Sequence, residues 1–257
     1  MTKNYARRRE QSLALGPVDL RARLLHRVRQ QGPRPLCLPV AVTTLHEAAL
    51  SAACQQPAIA LALEPLWRHA CENGRSGAEG TTLHAISEAV QRSGQPQEVS
   101  WRYNPELGAG TEDPPPGTLS AYFHCCKLIE LPLAHDGIEE SIEAALWAGL
   151  PVLIVVELTA EFETPSDGEI AVPALAAPLG DYHAVVAVGA STSSAGDERS
   201  LLVRNSWGPG WGLGGYARVP YDYLIAFGVQ AAIVDPFSLD GYKFSDNSAG
   251  GKANELH

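Results

Sequence analysis

The residue pattern of the chain changes near its middle, from helical periodicity to short strand-like runs. Three segments of the first half have helix signals: 37–53, 58–72 and 81–93. A predicted surface connection, rich in proline, glycine and charge, follows over 95–117 and indicates a domain boundary nearby. Four later segments have strand patterns: 151–158, 183–189, 200–204 and 216–219. The first half is therefore predicted to be mainly helical, and the second half to be rich in strands.

These patterns divide the chain into four predicted regions. The regions are a flexible basic arm (1–16), a leading segment with the helical lobe (17–127), a β-rich lobe (128–236) and a mobile tail (237–257). The leading segment, 17–30, fits a helix or an irregular connector equally well. Asp136 and Glu139 resemble a capping box for a helix that ends near Gly149.

Charge and hydropathy argue against two classes of protein, namely nucleic-acid-binding proteins and membrane-spanning proteins. The net charge is -10, and an acidic surface repels nucleic acid. The apolar runs are too short to cross a bilayer, and the polar, basic N-terminus does not resemble a signal peptide, so we expect a soluble cytoplasmic protein. The segment up to Arg34 is basic, with nine Lys and Arg against two acidic residues. This arm either docks on the acidic body or binds a regulatory partner.

The five cysteines are odd in number and have no CxxC spacing, which favours free thiols over disulfides or a zinc site. His124, Cys125 and Cys126 are consecutive, but neighbours along a strand point to opposite faces and cannot easily share a metal ion. No metal site and no cofactor are predicted.

Cys37 stands at the N-terminus of the first predicted helix, where the partial positive charge of the helix favours a thiolate. His183 opens an apolar strand and is the candidate imidazole partner of that thiolate. Asn205 ends the following strand, where its carboxamide could accept a hydrogen bond from the far imidazole N–H. The three residues together predict nucleophilic catalysis by a cysteine.

Two further residues fit such a site. Trp207 could shield the hydrogen bond between His183 and Asn205 from water, whereas Trp211 is expected to fill the core. An acyl transition state also needs hydrogen-bond donors for its oxyanion. The side chain of Gln31 and the backbone N–H of Cys37 are the candidates.

Three blocks of the sequence resemble the papain family of cysteine peptidases, in particular its bacterial cytoplasmic branch. The first block begins with VDLR at 18–21 and includes Gln31 and the segment from Cys37 to Thr43. The second begins with GTTL at 80–83. The third contains DYHAV at 181–185 and NSWGPGWG at 205–212.

The resemblance implies an α+β fold with two lobes and an active site in the cleft between them. It also implies that Gly80, Thr81, Tyr182 and Trp207 bind substrate, although Gly80 could equally be a turn glycine. The sequence departs from the family pattern at three residues beside Cys37, namely Pro35, Leu36 and Leu38. We expect these differences to reshape the cleft. Only 36 residues precede Cys37, too few for the long inhibitory propeptide that is common in the family.

The activity that the resemblance implies is hydrolysis of peptide bonds through a Cys37 thioester, with a Cys-His-Asn triad. Two alternatives remain open. An amine could resolve the same thioester, as in a transpeptidase, cyclase or ligase. The chain could also be a catalytically silent member of the family that binds peptides or regulates a partner.

Overall fold

The computed structural model describes residues 16–54, 59–132, 138–174, 180–192 and 199–243. The predicted basic arm up to residue 15, the capping role of Asp136 and the tail from 244 to 257 lie outside these residues. The α-helices are α1 (Cys37–Cys54), α2 (Glu64–Glu72), α3 (Leu83–Arg92), α4 (Ile138–Trp147), α5 (Ala160–Glu163) and α6 (Tyr221–Phe227). The strands are β1 (Val18–Asp19), β2 (Ser76–Gly77), β3 (Gly80–Thr81), β4 (Tyr122–Cys125), β5 (Leu128–Leu131), β6 (Val152–Glu157), β7 (Tyr182–Thr192), β8 (Arg199–Arg204), β9 (Tyr216–Pro220), β10 (Gly228–Val234) and β11 (Asp240–Lys243).

The chain forms two compact units. Among the described residues, a mainly helical unit comprises 31–128 and 234–243, and a sheet unit comprises 16–30 and 129–233. The boundary after Leu128 lies one residue from the predicted one, but the leading segment was assigned to the wrong lobe. Val18 and Asp19 pair with Ala190 and Gly189 of β7, so this segment belongs to the sheet unit.

Helix α1 lies at the centre of the helical unit and is buried on nearly all sides. Its polar side chains have partners within the unit. His46 Nδ1 is 2.9 Å from Gln95 Oε1, and Gln95 Nε2 donates in turn to Thr43. Glu47 Oε1 accepts a hydrogen bond from the backbone N–H of Leu61 at 2.8 Å. Buried polar groups of this kind are tolerated because they are hydrogen-bonded.

The other two helices of this unit begin and end at recognisable signals. Thr82 caps α3 by accepting a hydrogen bond from Ala85 N at 3.2 Å, and Gly94 follows the helix with a positive φ of 60°. The prediction of a helix over 58–72 was too long at its N-terminus. Helix α2 begins only at Glu64, where Pro65 fits the first turn, and Leu61 forms an isolated bridge with Gln97.

Two other predictions for the helical unit were partly wrong. The connection 95–117 is not entirely a surface segment, because Trp101 is only 2% exposed. The predicted mobile tail contains strand β11, which pairs with β4 from Asp240–Cys125 to Lys243–Tyr122. The tyrosine hydroxyl of Tyr242 also donates to Ser93 O at 2.8 Å. Order therefore extends at least to residue 243.

The sheet unit is built on a mainly antiparallel sheet, whose strands lie in the order β5-β10-β6-β7-β8-β9, with β1 beside β7. The long strands β6 and β7 are almost continuously buried, because their faces are covered on both sides. Helices α4 and α6 contribute Ile142, Leu146 and Tyr223 to the same core. This packing gives the second residue of β7 a rigid position.

None of the helices in the described ranges combines the length and apolarity that a bilayer crossing requires. Within the same ranges, no cluster of three or more histidine, cysteine or acidic side chains has a geometry suited to a metal ion.

Candidate active site

Cys37 is the first residue of α1 and is partly exposed. The helix continues from it without interruption, since Val40 N donates to Leu36 O at 3.0 Å and Pro39 lies in the first turn, where it has no N–H to satisfy. The sulfur atom therefore belongs to a residue at the positive end of the helix dipole, which favours a thiolate.

Gln31 is buried in the same unit, six residues before the cysteine. Its Nε2 donates to the backbone carbonyl of Arg34 at 2.9 Å. The same carbonyl accepts from Leu36 N at 2.8 Å. One carbonyl oxygen thus connects the Gln31 amide to the residue that precedes Cys37.

Gly80 and Thr81 form β3, which pairs with β2 in a short hairpin of the helical unit. Gly80 has a φ of 118°, which glycine adopts readily and other residues rarely do. A Cβ atom at this position would lie 3.8 Å from Pro35 O, so the hairpin passes beside the segment that leads to Cys37.

His183 is the second residue of β7, opposite Val156 of β6, and is only 4% exposed. Its Nε2 lies 2.7 Å from Asn205 Oδ1. Asn205 follows the last residue of β8 directly, so adjacent strands of one sheet carry the two side chains. The predicted hydrogen bond between the imidazole and the carboxamide is present.

The neighbours of Asn205 determine which imidazole nitrogen carries the proton. Ser206 N donates to Asn205 Oδ1 at 2.7 Å, which identifies this atom as the oxygen rather than the nitrogen of the amide. Because a carboxamide oxygen can only accept, His183 Nε2 must be the donor. The proton on Nε2 leaves Nδ1 as the basic nitrogen of the neutral ring.

Two aromatic rings contact the imidazole, and a third packs behind them. Trp207 lies against the imidazole, with ring centroids 4.5 Å apart. Phe162 of α5 makes edge contacts with both His183 and Trp207, at centroid distances of 6.2 and 6.3 Å. Trp211 is buried in the core, as predicted, and its Nε1 donates to Phe162 O at 3.1 Å. The rings exclude water from one side of the imidazole.

The segment after β8 is held in place by the leading segment of the chain. Arg204, which precedes Asn205, donates from its guanidinium to His26 O at 2.9 Å, and Gly208 N donates to Arg29 O at 3.0 Å. Gly208 has a φ of 73°, and a Cβ atom there would overlap the side chain of Gln30. Glycine is therefore required where the two segments approach each other.

Burial strongly lowers the pKa of the His183 imidazole. Loss of solvation lowers the pKa of His183 to about 4, and the hydrogen bond to Asn205 opposes this shift only in part. The ring is neutral at pH 7 unless an anion lies beside it. Tyr182, the preceding residue, is by contrast 63% exposed.

Two further cysteines, Cys125 and Cys126, have surroundings that differ from those of a nucleophile. Cys37, Cys71, Cys125 and Cys126 form no disulfide, as the sequence predicts for these four. Burial raises the pKa of Cys125 to about 11 and raises the pKa of Cys126 still further. Both thiols therefore remain protonated at neutral pH.

The structure thus brings His183, Asn205 and Trp207 together in the sheet unit, and it places Gln31 and Cys37 in the helical unit. Sequence reasoning missed Phe162, although an aromatic residue shortly after a fully apolar strand is a weak signal for such a role. It also missed the partners of the Arg34 side chain, since they lie far apart in sequence.

The chain matches the family "Papain family cysteine protease" over residues 16–236. Ananain from Ananas comosus is 44% identical over 54 residues, which is 21% of this chain and 15% of ananain. A cathepsin L-like proteinase from Fasciola hepatica is 29% identical over 155 residues, 57% of this chain and 42% of that protein. These alignments thus cover less than half of either relative.

The fold has a counterpart among solved structures. Xylellain, a cysteine protease from Xylella fastidiosa, superposes with a TM-score of 0.70 at 18% identity, over 85% of each chain. At this identity the superposition supports the α+β fold with its helical and β-rich lobes. Because the family match spans most of the sequence, the chain belongs to the papain family of cysteine proteases.

Proposed function

We propose that this protein is a cysteine endopeptidase that cleaves peptide bonds with Cys37 as nucleophile, His183 as acid and base, and Asn205 as the residue that orients the imidazole. The observation that carries the proposal is the 2.7 Å hydrogen bond between His183 Nε2 and Asn205 Oδ1, buried beneath Trp207. The base that activates a nucleophile must itself be oriented by a third group, and this hydrogen bond orients the imidazole in that way.

In the proposed reaction, His183 Nδ1 takes the proton of the Cys37 thiol. The thiolate attacks the peptide carbonyl, and the imidazolium then protonates the leaving amine as the C–N bond breaks. Water, deprotonated by the same nitrogen, attacks the thioester and releases the acid and the thiol. The reaction requires Cys37 Sγ and His183 Nδ1 to come within hydrogen-bond reach.

The low pKa of His183 is compatible with this role. Burial alone would leave the ring neutral at pH 7, and a thiolate beside it would favour the protonated form again. The cation in turn stabilises the thiolate, together with the N-terminus of α1. Each member of the ion pair therefore depends on the other.

The oxyanion of the tetrahedral intermediate would be stabilised by the backbone N–H of Cys37 and the side-chain amide of Gln31. The bond from Gln31 Nε2 to Arg34 O supports this role, because it fixes the amide plane before substrate arrives.

We also propose four substrate-binding residues. Gly80 passes beside Pro35 and has no side chain to obstruct an extended peptide, and Thr81 follows it in the same short strand. Tyr182 is exposed next to His183, and Trp207 covers the imidazole. A peptide or protein substrate would contact these groups on either side of the scissile bond.

We propose the cytoplasm as the location, because the three sequence blocks resemble the bacterial cytoplasmic branch of the family. The absence of a disulfide at Cys37, Cys71, Cys125 and Cys126 supports it, since secreted proteins commonly oxidise such residues to disulfides. A regulatory partner for the basic N-terminal arm remains a proposal as well.

A peptide-library digest of the wild type and of Cys37→Ala tests the function. Wild-type protein should cleave a subset of peptides, with one solvent oxygen in each new carboxylate, and Cys37→Ala should cleave none. Equal cleavage by both proteins would exclude Cys37 as the nucleophile. Products that carry an added amine instead of water would indicate aminolysis of the thioester.

A further inference from the structure

The side chain of Arg34 is buried inside the helical unit. Its guanidinium forms an ion pair with Glu64, and both side chains are 0% exposed, with Nη1 2.5 Å from Oε1. The remaining bonds go to carbonyl oxygens of one loop. They are Nε to Gly108 O at 2.8 Å, Nη1 to Asn104 O at 2.9 Å, and Nη2 to Gly110 O at 3.2 Å, beside a second contact from Nη2 to Glu64 Oε2 at 3.2 Å.

These contacts engage all five N–H groups of the guanidinium, which is the full donor capacity of arginine. Lysine has only three donors and no planar fork, so it could satisfy Glu64 but not the whole loop. Tyr103 completes the enclosure, because its ring lies 5.3 Å from the Arg34 guanidinium carbon and its hydroxyl donates to Gln31 O.

The backbone carbonyl of Arg34 contacts Gln31, the proposed oxyanion donor. Arg34 O accepts from Gln31 Nε2 at 2.9 Å and from Leu36 N at 2.8 Å. The side chain thus anchors a residue whose carbonyl orients the candidate oxyanion donor. A carbonyl that moved by 1 Å would turn the Gln31 amide with it, and errors of this size reduce rates strongly.

We propose that Arg34, held by Glu64, is a positioning residue that sets the orientation of the Gln31 amide for oxyanion stabilisation. This inference rests on the proposed peptidase function. Arg34 does not touch substrate in this role. It acts through its own carbonyl group, and the ion pair with Glu64 keeps that carbonyl in place.

The test is a comparison of Arg34→Lys with wild type in two backgrounds, native and Gln31→Ala. In the native background, Arg34→Lys should lower kcat for peptide hydrolysis about tenfold to a hundredfold, with a smaller change in KM. In the Gln31→Ala background it should cost less than about twofold, because the group that it positions is already absent. Alkylation of Cys37 by iodoacetamide forms no oxyanion, so its rate should stay within about twofold.

A matched control uses another buried ion pair among the described residues. Arg199 and Glu143 are 3% and 2% exposed and lie in the sheet unit. Arg199→Lys should therefore disturb folding to a similar degree without a selective loss of kcat. If Arg34→Lys does not fold, the pair Arg34→Met with Glu64→Gln, which removes both charges, takes its place in the same measurements.

Two outcomes would overturn the inference: an unchanged kcat in the Arg34 variant, or an equal loss in both backgrounds. A wild-type protein that alkylates at Cys37 but hydrolyses no peptide would instead contradict the peptidase function itself. The two failures are therefore distinguishable.

Discussion

At the scale of single residues, the candidate active site depends on the side-chain amide of Asn205. Asn205 Oδ1 accepts from both Ser206 N and His183 Nε2, at 2.7 Å each. Its Nδ2 is buried with no hydrogen-bond partner among the described residues. An unsatisfied buried donor has a cost in stability. The hydrogen bond to His183 therefore explains the position of Asn205 better than the packing of its own side chain does.

Replacing Asn205 tests this interpretation. Asn205→Ala should lower kcat/KM by about tenfold to a hundredfold, because the imidazole loses the acceptor that fixes its orientation and tautomer. The measurement is steady-state hydrolysis of a peptide selected from the library digest. Asn205→Asp retains an acceptor at the same place and serves as the control. Full activity in Asn205→Ala would show that the hydrogen bond does not assist catalysis.

The protonation of His183 should depend on Cys37. In Cys37→Ala the imidazole has no thiolate beside it, and its pKa should be close to about 4, the value that burial imposes. In the wild type the ring should remain protonated at pH 6 to 7. Histidine NMR titrations of the two proteins measure the difference, and identical titration curves would contradict the ion pair.

At the scale of structural elements, glycines that end helices show how local signals and packing combine. Gly74 follows α2 and Gly94 follows α3, with φ values of 64° and 60°. A Cβ atom at Gly74 would meet nothing within 4 Å. At Gly94 it would lie 2.7 Å from both Cys125 Sγ and His124 O of β4. The first glycine is required only by its backbone conformation, and the second also by the close approach of a strand.

Substitution by alanine should separate the two effects. Gly74→Ala should lower the free energy of unfolding by about 1–2 kcal/mol, through left-handed strain alone. Gly94→Ala should lower it by roughly 2–5 kcal/mol, because overpacking against β4 adds to the strain. Urea denaturation of both variants gives the comparison. Equal losses would mean that β4 can move away at little cost.

Several of the longer elements were predictable from the sequence, because helix caps and strand periodicity are local. Helices α1 and α3 and strands β6, β7, β8 and β9 lie close to their predicted ranges. Strand β11 was missed because its four residues have no apolar alternation of their own. It exists through its pairing with β4, which is more than a hundred residues earlier in the chain.

At the scale of the whole molecule, buried histidines link stability to pH. Burial lowers the pKa of His46 to about 4, and it does the same for His183 where no thiolate lies beside the ring, as in Cys37→Ala, whereas an unfolded chain binds these protons near pH 6.5. The unfolded state therefore holds more protons below pH 6.5. Stability is complete above that pH and falls as the pH drops toward 4.

Urea titrations of Cys37→Ala should show this dependence. Between pH 7.5 and pH 5, proton binding by the unfolded state at each of these two histidines should lower the free energy of unfolding by roughly 2 kcal/mol. Few carboxylates titrate in this range. The additional substitution His46→Gln removes one contribution and should reduce the loss by about half. A free energy that is constant over this range would contradict the assignment of two neutral buried imidazoles.

The sequence by itself determined which residues are candidates for chemistry, because Cys37, His183, Asn205 and Gln31 stand at element boundaries and in motifs that are readable locally. Only the tertiary structure decided how they are supported. It assigned the leading segment to the sheet unit, placed Phe162 against His183, and enclosed Arg34 with Glu64. These relationships join residues that are distant in sequence, and burial and hydrogen bonding between such residues arise only when the chain is folded.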